Sequence, residues 1–403
     1  MLHFDSDYME GALPAIIERL HTTNFNQTAG YGTDEICESA RARIRRACDA
    51  PEASVHFLVG GTQTNAVVLD QLLCPWEGVL SATSGHINAH EAGAVEGLGH
   101  KILPLEPHEG KLLAADVRAY CENFFADANR DHMVAPGVVY LSHPTEYGTI
   151  YSLAELEDLS AVCDEFDLAL FMDGARLGYG LAARGADVTL PDIARLCDAF
   201  YIGGTKVGAL FGEAVVFPRP TTCRHRRGCD VNGRPAPIDQ HFFTITKKRG
   251  ALLAKGRMLG IQFDELFSSD ASPDASAVAA ANPPDTAATP RDAAATPRDA
   301  TTATSQNAAT HPNDALRYLQ AGAHGVALAQ RLADAFTEKG YELAIDSPTN
   351  QLFPILDDET HDRLSQQVTF SFWERTPDGK TVTRFACSWA TRPENVEALI
   401  ALL

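Results

Sequence analysis

A single charged residue, Lys206, interrupts the apolar, glycine-rich stretch FYIGGTKVGALFG at residues 200–212. A buried ammonium group without a partner costs several kcal/mol or loses its proton. Two explanations are open at this point. Lys206 is either a surface lysine whose aliphatic stem lies along apolar residues, or a lysine whose amine is kept neutral because it is a nucleophile. The other polar features of the chain discriminate between these explanations.

Two further features follow predicted strands. Asp173 comes directly after LALFM in the motif MDGARLG, and GGTQTN (60–65) follows VHFLV and opens a helix. Small residues at a helix start let backbone N–H groups approach an anion at the positive end of the helix dipole. Taken alone, Asp173 is equally compatible with a turn residue in a D-G pair, and GGTQTN is a weak motif that matches no nucleotide fingerprint.

Together the three features suggest one cofactor. Lys206 and Asp173 follow different strands of a parallel sheet, and ligands bind at the carboxyl ends of such strands. A lysine that forms a Schiff base, an acid that pairs with a pyridinium nitrogen and a helix N-terminus that holds a phosphate are what pyridoxal phosphate needs. The sequence therefore predicts a pyridoxal-phosphate site at this edge of the sheet.

The elements that must position these groups alternate between strands and helices. Strands are predicted at 55–59, 78–82, 100–105, 137–142, 168–172, 199–204 and 213–218. Helices are predicted at 62–73 and near 190–197. Another is predicted to begin at Ser152, which forms a capping box with Glu155. This alternation predicts an α/β fold with a mostly parallel central sheet and helices on both faces.

The last third of the chain has a different organisation. A long helix is predicted over 251–267, and from 268 to 311 the composition falls to Ala, Asp, Thr, Pro and Ser, with AATPRDA occurring twice. A segment with so few large apolar residues is predicted to be disordered. A helix over about 314–339 and strands at YELAI, QLFPIL, QVTFSFW and TVTRFACSW then predict a small C-terminal α+β domain.

Composition narrows the class of protein. The net charge of −20 over 403 residues argues against a nucleic-acid or anionic-membrane partner. Nine scattered cysteines favour reduced thiols, and the loop CRHRRGC has too few ligands for a metal site, so no metal is expected. The N-terminal residues lack a signal-peptide pattern and no stretch is long and apolar enough to span a membrane, so a cytoplasmic location is expected.

Six motifs resemble those of the threonine aldolase and aromatic amino acid β-eliminating lyase family of fold-type-I pyridoxal-phosphate enzymes, in the family's order. They are FDSDYMEGALPAI, GYGTDE, GGTQTN, GHINAHEAGA, MDGARLGYG and GGTKVGALFGEAVV, and the match covers most of the chain outside 219–240 and 268–311. The resemblance implies a segment at 1–20 that joins the site, a large cofactor-binding domain at 21–250, and a small C-terminal domain at 251–403.

The resemblance also implies roles for single residues. Lys206 would form the Schiff base, Asp173 would bind the pyridine nitrogen, and His86 would stack on the ring and is a candidate base, although it could equally be a turn histidine. The phosphate would be held by Gly61, Thr62 and Thr205, and the substrate carboxylate by Ser6, Arg176 and Arg384. Arg176 would contact both the cofactor and the substrate. Arg384 could instead be an arginine on a strand face without a role in binding.

Tyr31 resembles a residue that reaches the site of a neighbouring subunit, which implies a homodimer or homotetramer. The implied activity is cleavage of L-threonine, L-allo-threonine or a related β-hydroxy-α-amino acid to glycine and an aldehyde. The alternatives are a β-eliminating lyase or aminotransferase acting on another amino acid, and a non-catalytic protein of the same fold.

One departure from the family pattern bears on the substrate. The family usually carries a histidine in the segment that reads SHPTEYGTIYSL here, and the matching position is Glu146, with His143 three residues earlier. This substitution leaves the choice between aldol cleavage and β-elimination open.

Overall fold

The computed structural model describes residues 1–219, 237–269 and 316–403, and within them it contains one large sheet and two smaller ones. The strands are β1 (Leu2–His3), β2 (Ser54–Leu58), β3 (Glu77–Ala82), β4 (Lys101–Leu105), β5 (Ala135–Ser142), β6 (Ala169–Asp173), β7 (Ala199–Gly203), β8 (Glu213–Phe217), β9 (Gln351–Leu352), β10 (Ile355–Leu356), β11 (Val368–Thr369), β12 (Ser371–Arg375) and β13 (Thr381–Ala386). The helices are α1 (Pro14–Thr22), α2 (Glu35–Ala47), α3 (Gly61–Leu72), α4 (His86–Ala89), α5 (Ala114–Ala126), α6 (Leu153–Phe166), α7 (Leu177–Leu181), α8 (Leu190–Leu196), α9 (Phe242–Lys248), α10 (Arg257–Leu266), α11 (Arg317–Glu338), α12 (Asp358–Ser365) and α13 (Pro393–Leu402).

Seven strands form the central sheet in the order β2-β8-β7-β6-β5-β3-β4. From β7 to β4 the neighbouring strands run parallel, and β8 runs antiparallel to both of its neighbours. The prediction of a mostly parallel sheet is therefore confirmed. Because the parallel strands end at the same edge, the loops that follow β2, β3, β5, β6 and β7 meet there.

Helices cover both faces of this sheet, as the sequence predicts. On β6, Leu170 and Met172 belong to a core cluster on one face, whereas Ala169 and Phe171 belong to a cluster on the other. The first face is packed by residues of α1, α2, α5, α6 and α8, and the second by residues of α3 and α9. Burial on both faces explains why these strands are apolar throughout instead of alternating with polar residues.

The predicted capping box is present at the start of α6. The Ser152 hydroxyl accepts a hydrogen bond from the Glu155 N–H, and the Glu155 carboxylate accepts one from the Ser152 N–H. These two bonds satisfy backbone donors that the first turn of a helix leaves without partners. The helix leads directly into β6, whose last residue is Asp173.

The predicted helix over 251–267 is wrong at its start, because α10 begins at Arg257. Residues 251–256 run along the loop that contains Tyr31. The Tyr31 N–H donates to the Ala254 carbonyl over 2.9 Å, and a Cβ on Gly256 would lie 2.3 Å from the Gly32 nitrogen. Backbone groups that a helix would pair internally are paired with this loop instead.

The predicted strand at YELAI is not formed. Leu343 makes an isolated bridge with Pro354, and the Ala344 N–H donates to the Phe353 carbonyl over 2.9 Å. The Ile355 N–H donates to the Glu342 carbonyl over 2.9 Å, so both hydrogen bonds around this bridge are made, but the pairing does not extend into a strand. The other three predicted C-terminal segments contain β9 to β13.

The N-terminal residues are joined to this C-terminal part. β1 pairs in parallel with β11, and the Phe4 carbonyl accepts a hydrogen bond of 2.8 Å from the Ala386 N–H. The Phe4 side chain is buried in the C-terminal core cluster with Phe385. The chain that follows, from Asp5 to Tyr8, therefore approaches the central sheet from the C-terminal side.

Two predicted features lie outside the described residues, namely the CRHRRGC loop and nearly all of the segment 268–311. Among the helices that the structure describes, none has the length and apolar character needed to cross a membrane.

Candidate active site

A cavity of about 300 Å³ lies at the carboxyl edge of the central sheet. Seven of the predicted site residues line it: Gly61, Thr62, His86, Asp173, Arg176, Thr205 and Lys206. Ser6 and Arg384 are not part of the lining, and Tyr31 lines a different cavity. The cavity also contains Glu146 and three groups that the sequence analysis did not single out, Tyr8, Tyr201 and Glu213.

Asp173 is held by four hydrogen-bond donors although it is only 4% exposed. One carboxylate oxygen accepts from the Tyr140 hydroxyl at 2.6 Å and from the Asn65 amide at 2.9 Å. The other accepts from the Tyr201 hydroxyl at 2.5 Å and from the Ala175 N–H at 2.9 Å. Burial raises the pKa of Asp173, but the nearby His86 and these donors outweigh it, so the pKa is lowered and the group stays ionised.

Lys206 lies in the turn between β7 and β8. The Gly204 and Thr205 N–H groups both donate to the Gly212 carbonyl, at 2.9 and 3.2 Å, and Gly212 has a φ of 118°, which a residue with a side chain rarely adopts. Burial and the neighbouring Arg176 lower the pKa of Lys206 to about 8. Lys206 is therefore partly neutral near physiological pH, as a nucleophilic amine requires.

His86 is fixed by a buried carboxylate. Its Nδ1 lies 2.7 Å from an oxygen of Glu91, and the Asn65 amide donates to that same oxygen at 2.7 Å. Asn65 thereby links Glu91 to Asp173 in one network. With Nδ1 engaged, Nε2 is the ring nitrogen left for a ligand. Burial lowers the pKa of His86, but the Glu91 hydrogen bond and the charge of Asp173 outweigh it and raise the pKa.

Glu146 lies in the cavity and His143 does not. One oxygen of Glu146 accepts from the Ser142 hydroxyl at 2.7 Å and from the His86 N–H at 3.0 Å. His143 is buried, its Nδ1 accepts from the Tyr151 N–H at 3.3 Å, and burial lowers its pKa to about 4. The position at which this chain departs from the family pattern therefore presents a carboxyl group to the cavity.

Arg176 is tied to the N-terminal segment. Its Nε and Nη2 donate to the two oxygens of Asp7, at 2.7 and 2.9 Å, and the Asn350 amide donates to Asp7 at 2.9 Å. Burial raises the pKa of Asp7, but the charge of Arg176 outweighs it and lowers the pKa. Asp7 thus accepts from two of the nitrogens of the guanidinium group that is predicted to bind substrate. The third nitrogen, Nη1, is left for a ligand.

Ser6 and Arg384 stand beside this pair. Among the described residues, neither the buried Ser6 hydroxyl nor the buried Arg384 Nε has a hydrogen-bond partner. Arg384 donates from Nη2 to the Asp5 carbonyl at 3.0 Å and lies over the Trp373 ring. Buried donors without acceptors are costly, and neither group lines the cavity that Arg176 lines.

Tyr31 lies away from these groups, in its own subunit. It lines a second cavity of about 560 Å³ with Arg41 and Phe243, is 45% exposed, and has a φ of 59°. The Lys247 amine lies 4.8 Å from the centre of its ring. Within one chain, Tyr31 therefore takes no part in the active-site cavity.

The start of α3 and the Lys206 turn form one end of the cavity. Gly61 and Thr62 are the first two residues of α3, and their N–H groups belong to the first helical turn, whose donors lack internal partners. The Thr205 hydroxyl donates to Glu213 at 2.8 Å and accepts from the Gly212 N–H at 3.0 Å. This end combines a positive helix terminus with a hydroxyl and an amine, which is a favourable arrangement for an anion.

The fold is that of the fold-type-I class of enzymes. It is similar to a mutant aspartate aminotransferase of Thermus thermophilus, with a TM-score of 0.62 and 13% identity, and the match covers 100% of this chain and 95% of that one. The sequence model of the beta-eliminating lyase family matches residues 3–264. The chain belongs to the beta-eliminating lyase family, which confirms the resemblance derived from its motifs.

Two more similar proteins are threonine aldolases. A threonine aldolase structure from Leishmania major has a TM-score of 0.81 and 34% identity, and the match covers 100% of this chain and 98% of that one. A low specificity L-threonine aldolase from a Pseudomonas strain is 31% identical over 217 residues, which are 53% of this chain and 61% of the relative. The chain thus matches about 61% of the length of this curated relative.

The Glu91 hydrogen bond to His86 yields a prediction about pH. Glu91→Gln removes a negative partner that stabilises the protonated imidazole, so the pKa of His86 falls. If His86 acts as a base, the acidic limb of the activity profile moves to lower pH by the same amount. Nuclear magnetic resonance titration of the His86 ring measures the pKa directly.

The control is Glu96→Gln, because Glu96 is an exposed carboxylate on the same stretch of chain. It is expected to leave the His86 titration unchanged. A His86 pKa that is the same in Glu91→Gln and in the unmodified protein would contradict the assigned role of Glu91.

Proposed function

We propose that this protein is a pyridoxal-phosphate-dependent lyase that cleaves L-threonine, L-allo-threonine or a related β-hydroxy-α-amino acid to glycine and an aldehyde. The observation that carries the proposal is one cavity that brings together the Lys206 amine, the Asp173 carboxylate and the start of α3. The names of the Pseudomonas and Leishmania major relatives support the choice of substrate.

The residues present fit the cofactor. Lys206 would hold its aldehyde carbon, because the lowered pKa leaves part of the amine neutral. Asp173 would keep a proton on the pyridine nitrogen, since its ionised carboxylate is already fixed by four donors. The first amides of α3 and the Thr205 hydroxyl would hold the phosphate. Pyridoxal phosphate, when bound, supplies electron withdrawal from the α-carbon of an attached amino acid.

The other end of the cavity suits the substrate carboxylate. Nη1 of Arg176 is left over from the Asp7 pair, and the Ser6 hydroxyl and the Arg384 Nε are buried donors that lack acceptors among the described residues. A carboxylate held there would fix the orientation of the α-carbon toward the Lys206 end. Orientation of this kind decides which bond of an amino acid breaks.

His86 is suited to move the proton that this cleavage requires. Its Nδ1 is bound by Glu91, so Nε2 would accept the proton of the substrate β-hydroxyl group. A base must be neutral to accept this proton. Because the pKa of His86 is raised, His86 becomes neutral at a higher pH than an ordinary histidine does. Activity should therefore rise as the pH passes upward through the pKa of His86.

The test is product analysis with threonine isomers. Unmodified protein loaded with pyridoxal phosphate is expected to release glycine and acetaldehyde, and Lys206→Ala is expected to abolish both products because the nucleophile is lost. Lys339→Ala, which changes an exposed amine at the end of α11, is the matched control and should retain activity. Formation of a keto acid and ammonia instead would support β-elimination and contradict the aldolase proposal.

We also propose that the protein works as a homodimer or homotetramer in which Tyr31 reaches the cavity of a neighbouring subunit. The exposure of Tyr31 and Phe243 beside a cavity of their own supports this arrangement. Mixed dimers of Lys206→Ala and Tyr31→Ala would each contain one site with both residues intact. Random subunit exchange should then restore about a quarter of the unmodified activity. A protein that sediments as a single chain, or a mixture that stays inactive, would contradict the proposal.

A further inference from the structure

Glu213 places a carboxyl group where the proposed function requires an anion to bind. It is the first residue of β8, is 3% exposed, and lines the cavity together with Gly61, Thr62 and Thr205. Within the sheet it pairs with Leu58 on one side and Gly203 on the other. These are the strand ends from which the two proposed phosphate-binding turns begin. A fixed carboxylate at this position would repel a phosphate group.

The hydrogen bonds of Thr205 show how Glu213 would affect a bound anion. The Thr205 hydroxyl has one proton, which it donates to one oxygen of Glu213 at 2.8 Å. Its oxygen accepts from the Gly212 N–H at 3.0 Å, and the second oxygen of Glu213 accepts from the Gly204 N–H at 3.2 Å. A hydroxyl group has a single donor and two acceptor positions. While Thr205 donates to Glu213, it has no proton to donate to a phosphate.

Protonation of Glu213 reverses this arrangement. The carboxylic acid donates its own proton to the Thr205 oxygen, which still accepts from Gly212, and its other oxygen still accepts from Gly204. The Thr205 proton is then free to point into the cavity. The Glu213 oxygens and the Gly204 and Gly212 N–H groups remain hydrogen-bonded, and the Thr205 proton gains an acceptor when an anion binds. The negative charge next to that anion is removed.

We propose that the protonation state of Glu213 sets the direction of the Thr205 hydroxyl and thereby controls how tightly the cavity holds a phosphate group. This inference rests on the cofactor assigned under the proposed function. Glu213 is a positioning residue in this account, because it acts on the phosphate through Thr205. The consequence is an affinity for phosphorylated ligands that depends on pH.

The surroundings of Glu213 favour its neutral form. Burial raises its pKa, while the Thr205 hydrogen bond and the charge of Lys206 lower it, and the result is a pKa of about 8. The titratable groups that face it are Lys206 after β7, Tyr201 on β7, Asp173 on β6 and Tyr318 on α11. Phosphate affinity should therefore be lost as the pH rises through about 8.

The test measures the dissociation constant of pyridoxine 5′-phosphate, which lacks the aldehyde and so cannot react with Lys206. Glu213→Gln is the key variant, because its amide donates permanently to Thr205 while its carbonyl accepts from Gly204. Between pH ~7 and ~9.5, the affinity of the unmodified protein should fall at least about tenfold more than that of Glu213→Gln. Pyridoxine without phosphate should show no such difference between the two proteins.

Lys206 is a second source of pH dependence over the same range. The charge of Glu213 helps Lys206 to keep its proton, so Glu213→Gln would lose the Lys206 charge at a lower pH. Over pH ~7 to ~9.5 this shift would also make the affinity of the variant fall less than that of the unmodified protein. The Thr205→Val background separates the two causes, because it removes the hydroxyl and keeps Lys206. Glu146→Gln is the matched control, since it neutralises a carboxyl in the same cavity beside His86 instead of Thr205.

A second pair of variants isolates the hydroxyl. In a Thr205→Ser background the pH-dependent difference made by Glu213→Gln should persist, and in a Thr205→Val background it should disappear. A difference that persists with valine would mean that Glu213 acts through its charge alone, and would overturn the proposal.

The remaining outcomes distinguish this inference from the proposed function. Parallel pH profiles for the unmodified protein and Glu213→Gln would overturn the role of Glu213 and leave the cofactor assignment intact. No binding of pyridoxine 5′-phosphate or pyridoxal phosphate at any pH would overturn the cofactor assignment, and this inference with it. If Glu213→Gln does not fold, the unmodified protein still gives a decision, because equal pH dependence for pyridoxine and its phosphate contradicts the proposal.

Discussion

Asp173 must remain a carboxylate in a place that water scarcely reaches, and much of the site is arranged around this requirement. Removing an ion from water costs several kcal/mol, whereas each hydrogen bond to a charged group returns about 1.5–3 kcal/mol. The four donors come from β5, β7, α3 and the turn after β6. These four parts of the chain must therefore be folded into place before the carboxylate is stable. The parallel sheet achieves this because its strands end at one edge.

The same requirement connects Asp173 to the rest of the cavity. Asn65 donates to both Asp173 and Glu91, and Glu91 fixes the ring of His86. The group that would bind the cofactor nitrogen and the candidate base therefore belong to one network. On the other side, the Asp7 pair with Arg176 fastens the N-terminal segment to the sheet. The small C-terminal sheet and the large domain thus meet at the proposed carboxylate site.

The fold and the cavity could largely be predicted from local sequence, for a physical reason. Apolar runs between turn residues locate the strands, and parallel strands bring Lys206, Asp173 and GGTQTN together without any knowledge of distant contacts. The two wrong elements were decided by contacts with remote parts of the chain. Residues 251–256 pair with the loop at Tyr31, and YELAI meets the chain at Pro354 through a single isolated bridge.

The side-chain network could not be predicted in the same way. Asn65 and Glu213 both stand in motifs that the sequence singled out, yet nothing in their spacing shows that one joins Glu91 to Asp173 and the other accepts from Thr205. Such pairs depend on side-chain directions in the folded chain. A buried carboxyl in an otherwise apolar strand, EAVVF, is the signal that would have drawn attention to Glu213.

The central claim is that this edge of the sheet keeps the Lys206 amine poised to lose its proton near neutral pH. The most direct measurement is the titration of that amine in the cofactor-free protein, by nuclear magnetic resonance of ¹⁵N-labelled lysine, with Lys206→Arg identifying the signal. The account predicts a pKa of about 8. A pKa near ~10.4, the ordinary value for lysine, would contradict it.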